Sequence, residues 1–187
     1  MKQIKIPAVC LLLLLAALRL SGQKSAVYFY ADNDYLKGLE LYEKEKYGAA
    51  QKVFRSVLDT YGEERSEIRS EAQYYHAMCA VELLNENAEF LVYEFIRDQP
   101  ASPYVDDAAF RLGNFFYDKN SWPKAISWYN RVDRFEIKRD QLTELYFKRG
   151  YAYYMRKNYD AARVDFYEIL DTDSPYTAPA IYYYSHI

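Results

Sequence analysis

The segment GYAYYMRKNYDAARVDFYEIL, Gly150–Leu170, contains the pattern that decides the fold of this chain. Two earlier segments align with it without gaps: GLELYEKEKYGAAQKVFRSVL from Gly38 and GNFFYDKNSWPKAISWYNRVD from Gly113. In each segment an aromatic residue follows the glycine after nine positions, an alanine after twelve and a second aromatic after sixteen. Agreement at separate positions in three segments indicates an internal repeat.

A weaker copy fills the gap between the first two segments. It places His76 at the glycine position, Ala88 at the alanine position and Val92 at the second aromatic position. The four copies therefore start 37 or 38 residues apart. This spacing predicts repeat units near residues 31–68, 69–105, 106–142 and 143–179, followed by a partial unit at 180–187.

Each unit has the pattern of two helices joined by a short turn. In the third unit, apolar residues recur every three or four positions up to Phe116, and Asn120 and Ser121 interrupt them. A second helical segment then begins with Pro123 in its first turn, where a missing N–H costs least. Small residues at the glycine and alanine positions would let the two helices approach closely. The sequence therefore predicts an all-α fold built from antiparallel helix pairs, in one continuous domain over residues 23–187.

This order of small, aromatic, alanine and aromatic residues resembles the tetratricopeptide repeat. Leu112–Val132 and Gly150–Leu170 match that family most closely, and the resemblance covers roughly residues 31–187. It implies a right-handed superhelix of about four repeats and the start of a fifth, whose first helices line a concave groove. The lengthened repeats are similar to those of secreted bacterial proteins in outer-membrane assembly and envelope scaffolding. The resemblance thus implies a non-catalytic scaffold that binds a protein or peptide partner in the groove.

The chain has 22 tyrosines and 10 phenylalanines, so aromatic area dominates either its core or its groove. The groove-facing positions of the family correspond here to Tyr35, Tyr42, Tyr74, Phe110, Asn114, Tyr117, Phe147, Tyr151 and Tyr154. The alternative is that most of these aromatics pack between helices, since the same spacings also build the interior. Asn114 matches one position of the family's clamp for a terminal carboxylate, but Phe110 stands where that clamp carries lysine. We therefore do not predict capture of a terminal carboxylate.

The N-terminus has the pattern of a cleaved secretory signal over residues 1–22. Lys2 and Lys5 precede an apolar run over residues 7–18, and small residues end at Gly22. The alternative, a membrane anchor, needs about 20 apolar residues. Because Cys10 lies inside the apolar run, no lipid-attachment cysteine follows the small residues. The pattern predicts export, and the resemblance to secreted bacterial envelope proteins implies a periplasmic or outer-membrane-associated location.

Removal of residues 1–22 would change the formal net charge from −3 to −6, because Lys2, Lys5 and Arg19 would be lost. An acidic chain is a poor candidate for binding nucleic acid, and contact with a membrane is expected only through envelope partners.

The sequence contains few residues that could carry chemistry. Outside the first 22 residues it has two histidines, His76 and His186, and one cysteine, Cys79, which lies in an apolar stretch and is expected to be buried. No phosphate loop, dinucleotide fingerprint or metalloprotease motif is present. We therefore predict no metal, no cofactor and no enzymatic activity. A glycan-binding module of a nutrient-uptake system is the main alternative function, and an enzyme is a remote one.

The sequence ends with AIYYYSHI, residues 180–187, which compares with AQYYHAMC at residues 72–79. This likeness predicts the beginning of a fifth first-helix. We expect the natural protein to continue with further repeats, or Tyr182–Tyr184 to pack on the fourth unit as a short cap.

Overall fold

A computed structural model describes residues 30–64 and 66–187 of the protein. These residues contain nine helices and no strand, which confirms the prediction of an all-α fold. The predicted signal segment, residues 1–22, lies outside the described residues. The chain divides into two compact units, one that ends at Tyr75 and one that spans His76–Ile187.

The helices follow one another with short connections. The described part of α1 covers residues 30–43, and the others are α2 (Tyr47–Tyr61), α3 (Glu67–Glu82), α4 (Ala88–Asp98), α5 (Val105–Asp118), α6 (Trp122–Tyr129), α7 (Arg139–Met155), α8 (Tyr159–Tyr167) and α9 (Thr177–Ser185). Consecutive helices pack against each other from α4 to α9. This packing is consistent with a helical repeat in which α1, α3, α5 and α7 are the first helices of the units.

Every turn from a first helix to a second helix has the same backbone geometry. The second residue of each turn has a positive φ of 54–60°, which is the left-handed conformation. These left-handed residues are Glu45, Leu84, Asn120 and Lys157. The next residue donates its N–H to the carbonyl five positions earlier, as Ser121 does to Phe116 at 2.8 Å. The left-handed residue itself donates to the carbonyl three positions earlier, as Asn120 does to Tyr117. This pair of hydrogen bonds is the Schellman motif, which satisfies the last carbonyls of a helix.

The turns also correct the sequence alignment of the second unit. Glycine lies seven residues before the left-handed residue in the other units, as Gly113 lies before Asn120. Seven residues before Leu84 is Ala77, which is fully buried, whereas His76 is only half-buried. The alignment that put His76 in the small-residue position was therefore wrong. In the second unit, the alanine of the repeat pattern, Ala88, follows the left-handed residue after four positions, whereas it follows after five in the other units. An alignment without gaps does not show this missing residue.

The glycines are required because an aromatic ring of the second helix lies against the backbone of the first. A Cβ atom placed on Gly113 would lie 2.5 Å from two ring carbons of Tyr129. The same atom on Gly38 would lie 2.7 Å from Phe54, and on Gly150 it would lie 3.0 Å from Phe166. These pairs are the glycine and second aromatic of the repeat pattern, sixteen residues apart. Close contact between backbone and ring thus fixes each of these helix pairs.

We predict that Gly113→Ala lowers the free energy of unfolding by about 1–3 kcal/mol, because the fully buried Tyr129 ring must shift to admit the methyl group. Chemical denaturation followed by circular dichroism measures the change. The control is Gly48→Ala in α2, where a Cβ would meet nothing within 4 Å. That variant should be neutral or more stable by up to about 1 kcal/mol. A Gly113→Ala variant as stable as the control would contradict the close-contact argument.

One buried ion pair joins α7 to α8. Arg149 Nε donates to Asp165 Oδ2 at 2.8 Å, and Nη2 donates to Oδ1 at 2.7 Å. The carboxyl side chain is only 4% exposed and the guanidinium side chain 19%. Burial raises the pKa of Asp165, and the charge and hydrogen bonds of Arg149 oppose that rise. The charge of Arg149, which directly precedes Gly150 on α7, is therefore balanced by a partner on the second helix.

We predict that Arg149→Met lowers the free energy of unfolding by about 3–5 kcal/mol at neutral pH, because it leaves a buried carboxylate without a counter-charge. Adding Asp165→Ala should recover part of the loss. Without Arg149 the folded-state pKa of Asp165 lies further above its unfolded value, so protonation favours the folded state. The loss should therefore shrink as the pH falls toward about 4.

Arg55→Met is the matched control for this experiment, because Arg55 pairs with Asp59 on a surface where both side chains are 63% exposed. It should change stability by less than about 1 kcal/mol. Equal effects of the two arginine variants would show that burial does not distinguish the pairs.

Candidate functional site

Within the second compact unit, the end of α3 and the first helices α5 and α7 line a concave site of about 350 Å³. We call it the α3–α5–α7 groove. It is lined by Val81, Glu82, Leu84, Phe110, Arg111, Asn114, Phe115, Asp118, Gln141 and Glu144. Phe110 and Asn114, two of the residues predicted to face a groove, belong to this lining.

Asn114 is held in one orientation by partners on two other helices. Its Nδ2 donates to Glu144 Oε1 of α7 at 3.1 Å, and its Oδ1 accepts a hydrogen bond from the Tyr129 hydroxyl of α6 at 2.7 Å. Burial raises the pKa of Tyr129, with a further contribution from the charge of Glu144, so the hydroxyl stays a donor. The side chain of Asn114 is therefore a fixed part of the groove wall.

A chain of hydrogen bonds crosses the same three helices. Arg111 on α5 donates to Glu82 at the end of α3 at 3.2 Å and to Asp107 at 2.8 Å. Gln141 on α7 donates to Asp107 at 2.7 Å. These side chains set the spacing of the helices that form the groove.

Lys148 and Tyr176 connect the groove to its surroundings through Glu144. The ammonium group of Lys148 lies 2.6 Å from Glu144 Oε1 and 5.3 Å from the centre of the Tyr117 ring. Burial raises the pKa of Tyr176, and its hydrogen bond to Glu144 adds to the rise. Glu144 therefore accepts hydrogen bonds from α5, from α7 and from the segment before α9.

A second concave site of about 660 Å³ shares Glu144 with the groove. We call it the α7 concavity. Its lining comprises Arg139, Asp140, Thr143, Glu144, Thr172, Asp173, Ser174, Pro175 and Tyr176. Both sites therefore have more carboxylates than cations in their lining.

The other four predicted groove residues of this unit, Tyr117, Phe147, Tyr151 and Tyr154, contact other aromatic rings. With Trp122 and Tyr183 they form an aromatic cluster, in which neighbouring ring centres lie 5.1–6.5 Å apart. Each of these four rings is half-buried. Their main contacts are with one another, as the packing alternative anticipated.

Tyr183 brings the predicted C-terminal helix into this cluster. Its ring lies within 6.4 Å of the rings of Phe147, Tyr151, Tyr154, Phe166 and Tyr182. Helix α9 packs against α8, and Tyr184 lies 6.3 Å from Tyr167. Tyr182, in contrast, is 58% exposed.

The first compact unit contains the remaining predicted residues, Tyr35, Tyr42 and Tyr74. Tyr35 is buried and its hydroxyl donates to Glu71, while Tyr74 is also buried. Tyr42 is half-buried, and its ring lies 5.2 Å from that of Tyr47 and 5.1 Å from that of Tyr75. Two of these three side chains thus contribute mainly to the interior of their unit.

Several residues of the groove were not predicted from the sequence, among them Leu84, Arg111 and Glu144. Arg111 and Glu82 are 29 positions apart, and Asn114 and Glu144 are 30 apart. No local sequence motif can therefore predict either contact. Leu84 lies in a turn, where the helical periodicity gives no signal.

The described residues contain no group of three or more histidine, cysteine, aspartate or glutamate side chains that could hold a metal ion. The predicted burial of Cys79 is confirmed, and burial together with the charge of Glu82 raises its pKa to about 12. Within residues 30–64 and 66–187, the helices are too short or too polar to cross a membrane.

No protein-family model matches the chain, and no curated protein matches it either. The repeat pattern and the geometry of the groove are therefore the features that bear on its function.

We predict that the folded protein loses stability as the pH rises from about 10 to about 12. Burial, followed by the hydrogen bond to Asp32 at 2.5 Å, raises the pKa of Tyr61 to about 12. Burial also raises the pKa values of Tyr117, Tyr129, Tyr176 and Tyr183. Since these phenols ionise more easily in the unfolded chain, stability is complete below pH 10 and is lost as the pH approaches the folded-state values.

Urea denaturation at several pH values measures this loss, and absorbance at 295 nm follows the ionisation of tyrosine. Tyr61→Phe should make the decrease of stability with pH less steep. A free energy of unfolding that stays constant up to pH about 11.5 would contradict the assignment.

Proposed function

We propose that this chain is a non-catalytic scaffold that binds a peptide segment of a partner protein in the α3–α5–α7 groove. The observation that carries the proposal is that three consecutive first helices jointly line one concave site. In a tetratricopeptide-like array the first helices face the inner surface of a right-handed superhelix, and that surface receives the partner. The repeated turns and the glycine–aromatic contacts support this class of fold.

The composition of the groove suits a peptide. Leu84 offers exposed apolar surface, while Asn114 and Gln141 offer amide groups that can hydrogen-bond a peptide backbone. Because Asn114 and Arg111 are already fixed by their own hydrogen bonds, binding would cost little side-chain entropy at these positions.

The non-catalytic part of the proposal is supported by how two of the three carboxylates in the groove lining are engaged. Glu82 pairs with Arg111, and Glu144 pairs with Lys148 and accepts from Asn114. A carboxylate held in this way serves to position helices rather than to transfer protons.

The pattern of residues 1–22 supports export, and we propose a periplasmic or outer-membrane-associated location in a bacterial envelope. The partner would then be another envelope protein.

Selection of peptides from a random library on the immobilised protein tests the proposed function. Selected peptides should lose affinity by about tenfold or more on Leu84→Glu, which places a charge at an apolar contact of the groove. Leu83→Glu is the matched control, because Leu83 is also exposed, at 40% against 59%, but does not line the groove. It should change the affinity by no more than about twofold.

Equal losses in the two leucine variants would move the binding site away from the groove. A library without binders, together with positive signals on a glycan array, would replace the proposed function by the glycan-binding alternative.

A further inference from the structure

We infer that the peptide bound in the α3–α5–α7 groove carries a basic side chain next to an apolar one. This inference rests on the proposed function and adds the chemical class of the ligand. It follows from two features of the groove: an apolar side chain in an unusual place, and carboxylates at unfavourable positions on the helices.

The apolar feature is Leu84. The equivalent left-handed turn residues of the other units are polar, namely Glu45, Asn120 and Lys157. Leu84 is 59% exposed and lines the groove. A large apolar side chain held toward solvent at a concave site gains free energy when a ligand covers it. Phe110, buried in the same lining, extends this surface into the groove.

The charged feature is the pair of carboxylates at the ends of two first helices. Glu82 is the last residue of α3 and Asp118 the last residue of α5, and neither helix has a basic residue in its last turn. The C-terminal end of a helix carries partial negative charge, so a carboxylate there raises the local negative potential. Lys119 directly follows the end of α5, so a base is also present just beyond Asp118.

Cations of the protein itself compensate this potential only in part. Arg111 is shared between Glu82 and Asp107, and Lys148 pairs with Glu144. Asp118 is exposed, and within residues 30–64 and 66–187 no ion pair reaches it. The remaining charge favours a cation from the ligand.

One cation of the protein itself lies against the aromatic wall of the groove. The ammonium group of Lys119 lies 3.9 Å from the centre of the Phe115 ring, and Phe115 belongs to the groove lining. This cation–π contact engages Lys119 with the ring, and within residues 30–64 and 66–187 Lys119 makes no ion pair with Asp118. A lysine or arginine of the peptide can therefore lie against Asp118 and Glu82 while its apolar neighbour covers Leu84.

Matched peptides test this inference. Each peptide selected in the library experiment is synthesised with acetylated and amidated ends, and its basic residue is replaced by glutamine in a second version. Fluorescence anisotropy gives the two dissociation constants. We expect the glutamine version to bind about fivefold more weakly or worse, and we expect the difference to shrink at high salt.

Asp118→Asn should lower the ratio of the two dissociation constants to about half or less, and Glu82 accounts for the preference that remains. Asp98→Asn is the matched control. Asp98 is also the last residue of a helix, α4, which is the second helix of its repeat unit, and it does not line the groove. It should leave the ratio unchanged.

Groove-binding peptides that lack basic residues, or a ratio that does not respond to Asp118→Asn, would overturn the inference and leave the proposed function intact. A library that yields no peptide sensitive to Leu84→Glu would overturn both.

Discussion

The contact between a helix backbone and an aromatic ring is the constraint on which the rest of the structure depends. At Gly38, Gly113 and Gly150 the ring of the paired helix occupies the space that a Cβ atom would need. This contact brings the two helices closer than side chains on both sides would allow. In the second unit, Ala77 takes the place of the glycine, and the smaller Val92 takes the place of the ring. A larger residue at the first position is therefore matched by a smaller one at the second.

The close pairing of helices also determines where polar groups can be placed. With the interior filled by rings and small residues, Arg149 and Asp165 form the buried ion pair between α7 and α8. Arg111 and Asn114 of α5 donate hydrogen bonds to Glu82 of α3 and Glu144 of α7, and all of these residues line the groove. The same side chains thus hold neighbouring units together and supply the polar surface of the candidate site.

The repeat period was enough to predict the all-helical fold, because the glycine and aromatic positions carry a strong local signal. The second unit was misaligned at His76 because a deletion of one residue in the turn breaks the period without breaking the helices. Of the nine predicted binding residues, Phe110 and Asn114 line the groove. The others mark the limit of periodicity as a guide: a tyrosine such as Tyr151 has the same spacing whether it faces a ligand or packs in the aromatic cluster. Contacts between residues 29 or 30 positions apart leave no local pattern at all.

The Schellman turns have a consequence for how such a protein can change its specificity. Their left-handed position is commonly glycine, yet Glu45, Leu84, Asn120 and Lys157 all occupy it here. A non-glycine residue in this conformation costs about 1–2 kcal/mol, less for asparagine, whose short polar side chain can hydrogen-bond locally, and four different side chains are accommodated here. The backbone of each unit therefore tolerates exchange of this one side chain, so that an acid, an apolar group, an amide or a base can be presented from an unchanged turn. Evolution can alter the chemistry at the end of a first helix in one step, without repacking the interior that holds the helix in place.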